Sequence, residues 1–295
     1  MAYRSFKYSD NIYKLLTPKP AGLEEETQII ADLLESDKPC MISRFGSVEL
    51  QAICLMRYWP WLNFLKERSY RQIGNNAGFF PVDKQQLMRF YRCYREDVIQ
   101  MDALVTWRIE ELLVHDWLRG KQRIQKSTLD EFYAQSNPWT QALKDKKVLV
   151  VHPFAETIEE QYKNHRKQLF ENSLVLPEFE SLQTLKAVQS IGGGASGYGT
   201  WFDALDWMMK EIDKKDFDIA LLGCGAYGMP LAAHVKKIGK KAVHMGGILQ
   251  FLFGIKGKRY IDNPETAKYI NEYFVSPSES DRPKLADKVE GGCYW

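Results

Sequence analysis

The chain has 295 residues, 45% of them apolar and 26% charged, with a formal net charge of +2. That length supports one large α/β domain or two smaller ones, and so balanced a charge excludes a nucleic-acid binder driven by bulk electrostatics. Its five cysteines (Cys40, Cys54, Cys93, Cys224, Cys293) form no C-x-x-C pair, which argues against a disulfide scaffold or a structural zinc site and for free thiols in a reducing cytoplasm.

In chain order, residues 1–20 are polar and end in a turn carrying Pro18 and Pro20. Leu23 to Leu34 has helical spacing, with Glu24, Glu25 and Glu26 in the first turn, where acids suit the helix dipole. The CMISRF run after Pro39 predicts a strand, broken by Gly46, and Val48 to Met56 resumes a helical pattern. Trp59 to Leu65 reads as a turn or short helix, and Asn75–Pro81 as a loop by its Asn, Gly and Pro content. Lys84 to Leu118 reads as helical throughout, part of a helical insert over about 84–142. Lys147–Val151 predicts a buried strand ending at His152, Glu156–Phe170 a charged helix, and Leu174–Leu176 a brief strand. The glycine-rich run 192–199 is expected to be a lid or a linker. A helix over Trp201–Ile212 then leads to the strand at Ile219–Leu222.

Asp218–Gly247 is the most informative stretch. A short apolar strand meets Gly223, Gly225 and Gly228 in the spacing G-x-G-x-x-G, then a helix from Pro230 to Ile238, a stop at Gly239 and a second strand, Lys241–Met245. Such a loop aims backbone N–H groups and the helix dipole at an anion, making Gly223, Gly225, Ala226, Tyr227 and Gly228 candidates for a nucleotide or phosphate. The same glycines also serve close helix–strand packing. An NAD site expects an acid about 20 residues on, whereas the second strand here ends at His244. Strands alternating with helices predict a mostly parallel, Rossmann-like α/β sheet in a single domain over 1–295, with the tail 276–295 docking back on the body.

Other segments carry candidate chemistry. In Ser43-Arg44-Phe45-Gly46-Ser47-Val48-Glu49, Arg44 suits bidentate contact with a phosphate and Glu49 suits a hard divalent cation or a sugar hydroxyl; an Arg–Glu pair with an N-terminal helix acid explains the same residues. His152 and Glu156 follow the strongest strand, where open α/β sheets bind ligands, and either is a candidate general base. A strand-end histidine and a helix-stabilising acid are the plain alternatives. Asn76, in NNAGFFP, is a candidate sugar contact. Lys256, Lys258 and Arg259 lie on a glycine-containing segment that either neutralises a diphosphate or is simply solvated.

The order SRFGSVE, HPFAET, then DIALLGCGAYGMPLAAHVKKIGKKAVHMGG resembles the GT-D-type glycosyltransferases over roughly residues 38 to 255. The matching positions are Arg44-Phe45-Gly46-Ser47-Val48-Glu49, Gly223–Gly228, Gly239 and His244-Met245-Gly246-Gly247. The resemblance implies a Rossmann-like enzyme of bacterial surface-glycan biosynthesis that uses a nucleotide-diphosphate sugar, of the UDP type, and a glycan or lipid-linked oligosaccharide acceptor. It implies Mn2+ or Mg2+ held by an Asp-x-Glu pair. Here Ser47 replaces the acid, leaving Glu49 and opening the question of metal dependence, since nearby cations would stabilise a leaving diphosphate equally. On this reading Arg44, Phe45, Gly46, Asn76, His244, Lys258 and Arg259 surround the donor, and Glu49, His152 and Glu156 are the catalytic candidates. The alternatives are a methyltransferase using adenosylmethionine and a non-catalytic nucleotide-sugar-binding protein. The expected setting is cytoplasmic, at most peripheral to the inner membrane face, with no transmembrane segment, no nucleic acid, and a homo-oligomer as an option.

Overall fold

A strand that is apolar at every position, such as Ile-Ala-Leu-Leu at 219–222, is buried on both sides only inside a parallel sheet covered by helices. The computed structural model describes residues 21–58, 63–190, 197–278, 281–282 and 292–295, with side chains of the third helix from residue 67 onward. It places that run at the heart of a parallel seven-stranded sheet in the order β3-β2-β1-β7-β6-β4-β5. The strands are β1 (Met41–Ser43), β2 (Ala103–Thr106), β3 (Gln122–Gln125), β4 (Lys147–His152), β5 (Ser181–Lys186), β6 (Ile219–Leu222) and β7 (Lys241–His244). The helices are α1 (Leu23–Glu35), α2 (Ser47–Tyr58), α3 (Asn63–Ala77), α4 (Lys84–Gln100), α5 (Lys126–Asp130), α6 (Ala155–His165), α7 (Trp201–Ile212), α8 (Gly228–Lys237), α9 (Leu249–Leu252), α10 (Lys258–Ile261) and α11 (Pro264–Ala267). The fold is Rossmann-like α/β.

Alternation along each strand divides its side chains between two cores. Met41, Leu149, Val151, Leu222 and Ala242 face a layer built by α2, α3, α4, α7 and α8. Ile42, Val148, Val150, Leu221 and Val243 face the opposite layer, with α1, α6 and the aromatic residues of α9 and α10. The period of two thereby fixes where each strand-end side chain points.

Two connections position the site. The chain leaving β4 runs outward to β5, whereas that leaving β6 runs inward to β7. The carboxyl ends of the neighbouring strands β4 and β6 therefore part at a topological switch point, where open α/β sheets bind ligands.

Several local expectations change. The region 84–142 is not a helical insert: Ala103–Thr106 and Gln122–Gln125 are two strands of the main sheet. A short apolar run carries no period that separates a buried strand from a buried helix. Leu174–Leu176 lies in a turn; the edge strand is the more polar Ser181–Lys186, whose composition hides it as edge strands commonly do. Asn75 and Asn76 belong to the last turn of α3 rather than to a loop. The glycine-rich run is described only from Gly197 onward, and residues 1–20 and 59–62 lie outside the described part.

Candidate functional site

Segments leaving β1, β2, β3, β4, β6 and β7 enclose a cleft of about 440 Å³ at the carboxyl edge of the sheet. Its lining includes Arg44, Gly46, Glu49, Asn76, His152, Gly223, Gly225, Tyr227, His244 and Arg259 among the residues singled out from sequence. Others lie elsewhere. Phe45 and Ala226 are fully buried in the core. Glu156, at the start of α6, is not brought into the cleft: its side chain is 71% exposed and pairs with Lys186 at 3.5 Å. Lys258 is an exposed residue of α10 whose backbone N–H bonds to the Trp295 carbonyl; of the basic run, Arg259 reaches the lining.

The three glycines of the loop do three different things. Gly223 is a packing site: a Cβ there would lie 2.7 Å from His152 Cδ2 and 2.9 Å from the Gly246 carbonyl. Gly225 has φ +58°, the left-handed region where glycine carries no steric penalty, and opens the turn that becomes α8. Gly228 lets the first turn of α8 rest on the ring of His244, which a Cβ would overlap. Tyr227 forms part of the floor, its ring stacked on Trp201 with centroids 4.7 Å apart and its hydroxyl 3.3 Å from Ser190 Oγ.

The two histidines are held neutral. His244 lies one step beyond the paired Ile42 and Val243, and its Nδ1 is 3.1 Å from Ser43 Oγ. Burial, and then the charge of Arg44, lowers its pKa from 6.5 to about 3. Burial alone lowers that of His152 to about 3. His152 Nδ1 accepts the Phe154 N–H at 3.0 Å, so the remaining proton of the neutral ring sits on Nε2. His152 is thus a donor and not the general base expected of it, because its free lone pair is already used.

Charge enters from the loops. Arg44 donates through Nη1 to both oxygens of Asp130, at 3.2 and 3.3 Å, and lies 5.9 Å from the centroid of Trp107. Lys126 pairs with the same carboxylate. Arg259 stacks on Tyr294, 4.5 Å from its centroid. Glu49 is 6% exposed and folds back over Gly46, where a Cβ would overlap its carboxylate. At the rim, burial raises the pKa of Glu131, with the neighbouring charge of Lys126 opposing. Gly292–Trp295 closes one wall: Gln250 Nε2 donates to the Tyr294 carbonyl at 3.2 Å, and Trp295 packs edge-on to Phe154. Gln250 Oε1 and Trp295 Nε1 are buried without a hydrogen-bond partner.

The donor set does not fit a resident divalent ion. Among the described residues, no group of three His, Cys, Asp or Glu side chains could hold a metal. Asp130 is engaged by Arg44 and Lys126, and Ser47 offers a hydroxyl in place of a second acid beside Glu49. Hard cations want several oxygen ligands, preferably anionic, and two neighbouring cations repel them.

Trp107, Lys126, Asp130, Glu131, Tyr133 and Tyr260 also line the cleft and were not anticipated. Trp107 follows β2, and Lys126 to Tyr133 follow β3, so reading those strands as helix concealed them.

No protein-family profile matches the chain, and no curated protein matches it in sequence. Among solved structures, the selenomethionine-substituted structure of domain of unknown function 1792 is similar over 77% of this chain and 83% of that one, at 14% identity and a TM-score of 0.30.

Proposed function

We propose that the chain is a glycosyltransferase that moves a sugar from a nucleotide-diphosphate donor to a glycan acceptor. The observation that carries this reading is the meeting, in one cleft at the switch point, of a glycine loop opening a helix, two arginines (Arg44, Arg259) and the buried carboxylate of Glu49. The loop and the cations suit a diphosphate. The aromatic wall of Tyr260, Tyr294 and Trp295 suits a base or a sugar ring.

In this reading the diphosphate lies against Gly223–Gly228 and the arginines. Glu49 accepts a hydroxyl of the donor sugar. As the acceptor oxygen bonds to the anomeric carbon, the bond to the diphosphate breaks and the acceptor proton passes to Glu131, a carboxylate of the cleft lining whose pKa burial raises. Asn76, at the end of α3, is placed for a sugar contact. The methyltransferase alternative loses support at β7, which ends in the neutral His244 rather than in an acid.

The test is release of nucleoside diphosphate from a panel of UDP, GDP, dTDP and CMP sugars, with adenosylmethionine alongside. One sugar-nucleotide class should turn over, and Glu49→Gln should lower the rate at least tenfold. Methyl transfer, or turnover indifferent to Glu49→Gln, would contradict the assignment.

A further inference from the structure

Two guanidinium groups converge on consecutive glycines at the end of β7. A Cβ on Gly246 would overlap Arg44 Nη2, and one on Gly247 would lie 2.9 Å from Arg259 Nη1. Gly246 has φ +67°, so the turn is built from residues that leave room for both cations. The two arginines come from distant parts of the chain, after β1 and on α10. Both guanidinium groups line the cleft at that turn, placed to donate charge-assisted hydrogen bonds to a bound anion.

A carboxylate already holds the first of them. Asp130, 7% exposed, receives Arg44 at 3.2 Å and Lys126 as well. Its carboxylate occupies the same guanidinium edge that a phosphate would use, with equivalent acceptor oxygens. The same carboxylate is thereby withdrawn from metal ligation.

We propose, resting on the nucleotide-sugar reading, that the cleft binds a diphosphate without a divalent ion. Arg44 and Arg259 grip it across the Gly246–Gly247 turn, and Asp130 is an internal competitor that holds Arg44 until the diphosphate displaces it. The cations take the charge-neutralising role that a metal would otherwise play, and Asp130 restores the ligand-free state by reclaiming Arg44 when the diphosphate leaves. Asp130 is a positioning residue in this scheme and makes no contact with the reacting atoms.

The experiment is calorimetric titration of the full chain with inorganic diphosphate in EDTA, repeated with added Mg2+ or Mn2+, with melting curves run on every variant. Binding should occur in EDTA and should not tighten by more than about twofold with metal. Arg44→Gln and Arg259→Gln should each weaken it at least tenfold, as expected for lost charge-assisted contacts. Asp130→Asn should tighten it several-fold, a gain that a poorly folded variant cannot produce. Binding that requires metal, unchanged binding in both arginine variants, or weakening by Asp130→Asn would each overturn the proposal. A nucleotide-sugar titration in the same buffer separates the two readings. Metal-free diphosphate binding with no nucleotide sugar bound sinks the transfer reading and leaves the clamp standing. Nucleotide-sugar binding only with Mn2+ does the reverse.

Discussion

Gly223 shows how a single residue sets the geometry of the cleft. It packs where β4, β6 and the turn after β7 meet, with His152 Cδ2, the Gly246 carbonyl and Leu249 Cβ all within 3.0 Å of where a Cβ would stand. Gly223→Ala should therefore cost about 1–3 kcal/mol through overpacking, read as a lower urea midpoint at unchanged slope. His152 and His244 supply a second expectation at this scale. Both have a folded pKa of about 3 against an ordinary 6.5, so below pH 6.5 the unfolded chain takes up protons that the folded chain refuses. Their contribution is complete above that pH and is lost as pH falls toward 3, at about 1.4 kcal/mol per pH unit for each ring. Urea unfolding between pH 7 and 4.5 should show this loss, and His152→Gln should make the pH dependence shallower. The sequence marked both histidines as site residues because each ends a strand, and the structure places both in the cleft lining. Their neutrality was not legible, because it arises from burial among segments distant in the chain.

At the scale of elements, the short helix α5 matters beyond its length, since it carries Lys126 and Asp130 into the cleft. Five residues make too few internal hydrogen bonds to hold a helix alone. Glu26 of α1, fully buried, accepts from the Gln125 N–H at 2.8 Å and from Thr128 Oγ1 at 2.5 Å, tying the start of α5 to the body. Glu26→Ala should cost about 2–3 kcal/mol by leaving those donors unpaired and should tighten diphosphate binding, because a loosened Asp130 competes less for Arg44. A variant that lost stability while binding diphosphate with unchanged affinity would show that Glu26 is only structural. From sequence, Glu26 read as one of three acids favouring the helix dipole; its partners lie 99 and 102 residues away, beyond any local pattern. Strand β6 was legible to the residue because an unbroken apolar run bounded by charge and glycine has few other fates. Strands β2 and β5 were not, one being masked by the helical pattern before it and the other by its polar edge composition.

For the whole molecule, the parallel sheet and its switch point determine where chemistry can occur, and the charges that loops deliver there determine which ligand fits. Residues from positions 44 to 295 meet in one cleft, although the net charge of the chain is only +2. The lining brings Arg44, Lys126 and Arg259 together with Glu49, Asp130 and Glu131, so the placement of individual charges, rather than overall charge, governs what the site can hold. No helix among the described residues is long and apolar enough to cross a membrane. The measurement that tests the central claim most directly is the thermal stability of the wild-type chain and of Arg44→Gln against increasing UDP. If the cleft is a nucleotide-diphosphate site, the melting temperature of the wild type rises continuously with ligand concentration, since a ligand bound only to the folded state stabilises it by mass action, and the rise is lost in Arg44→Gln. No rise with UDP, GDP or dTDP, or an equal rise in both proteins, would contradict the account.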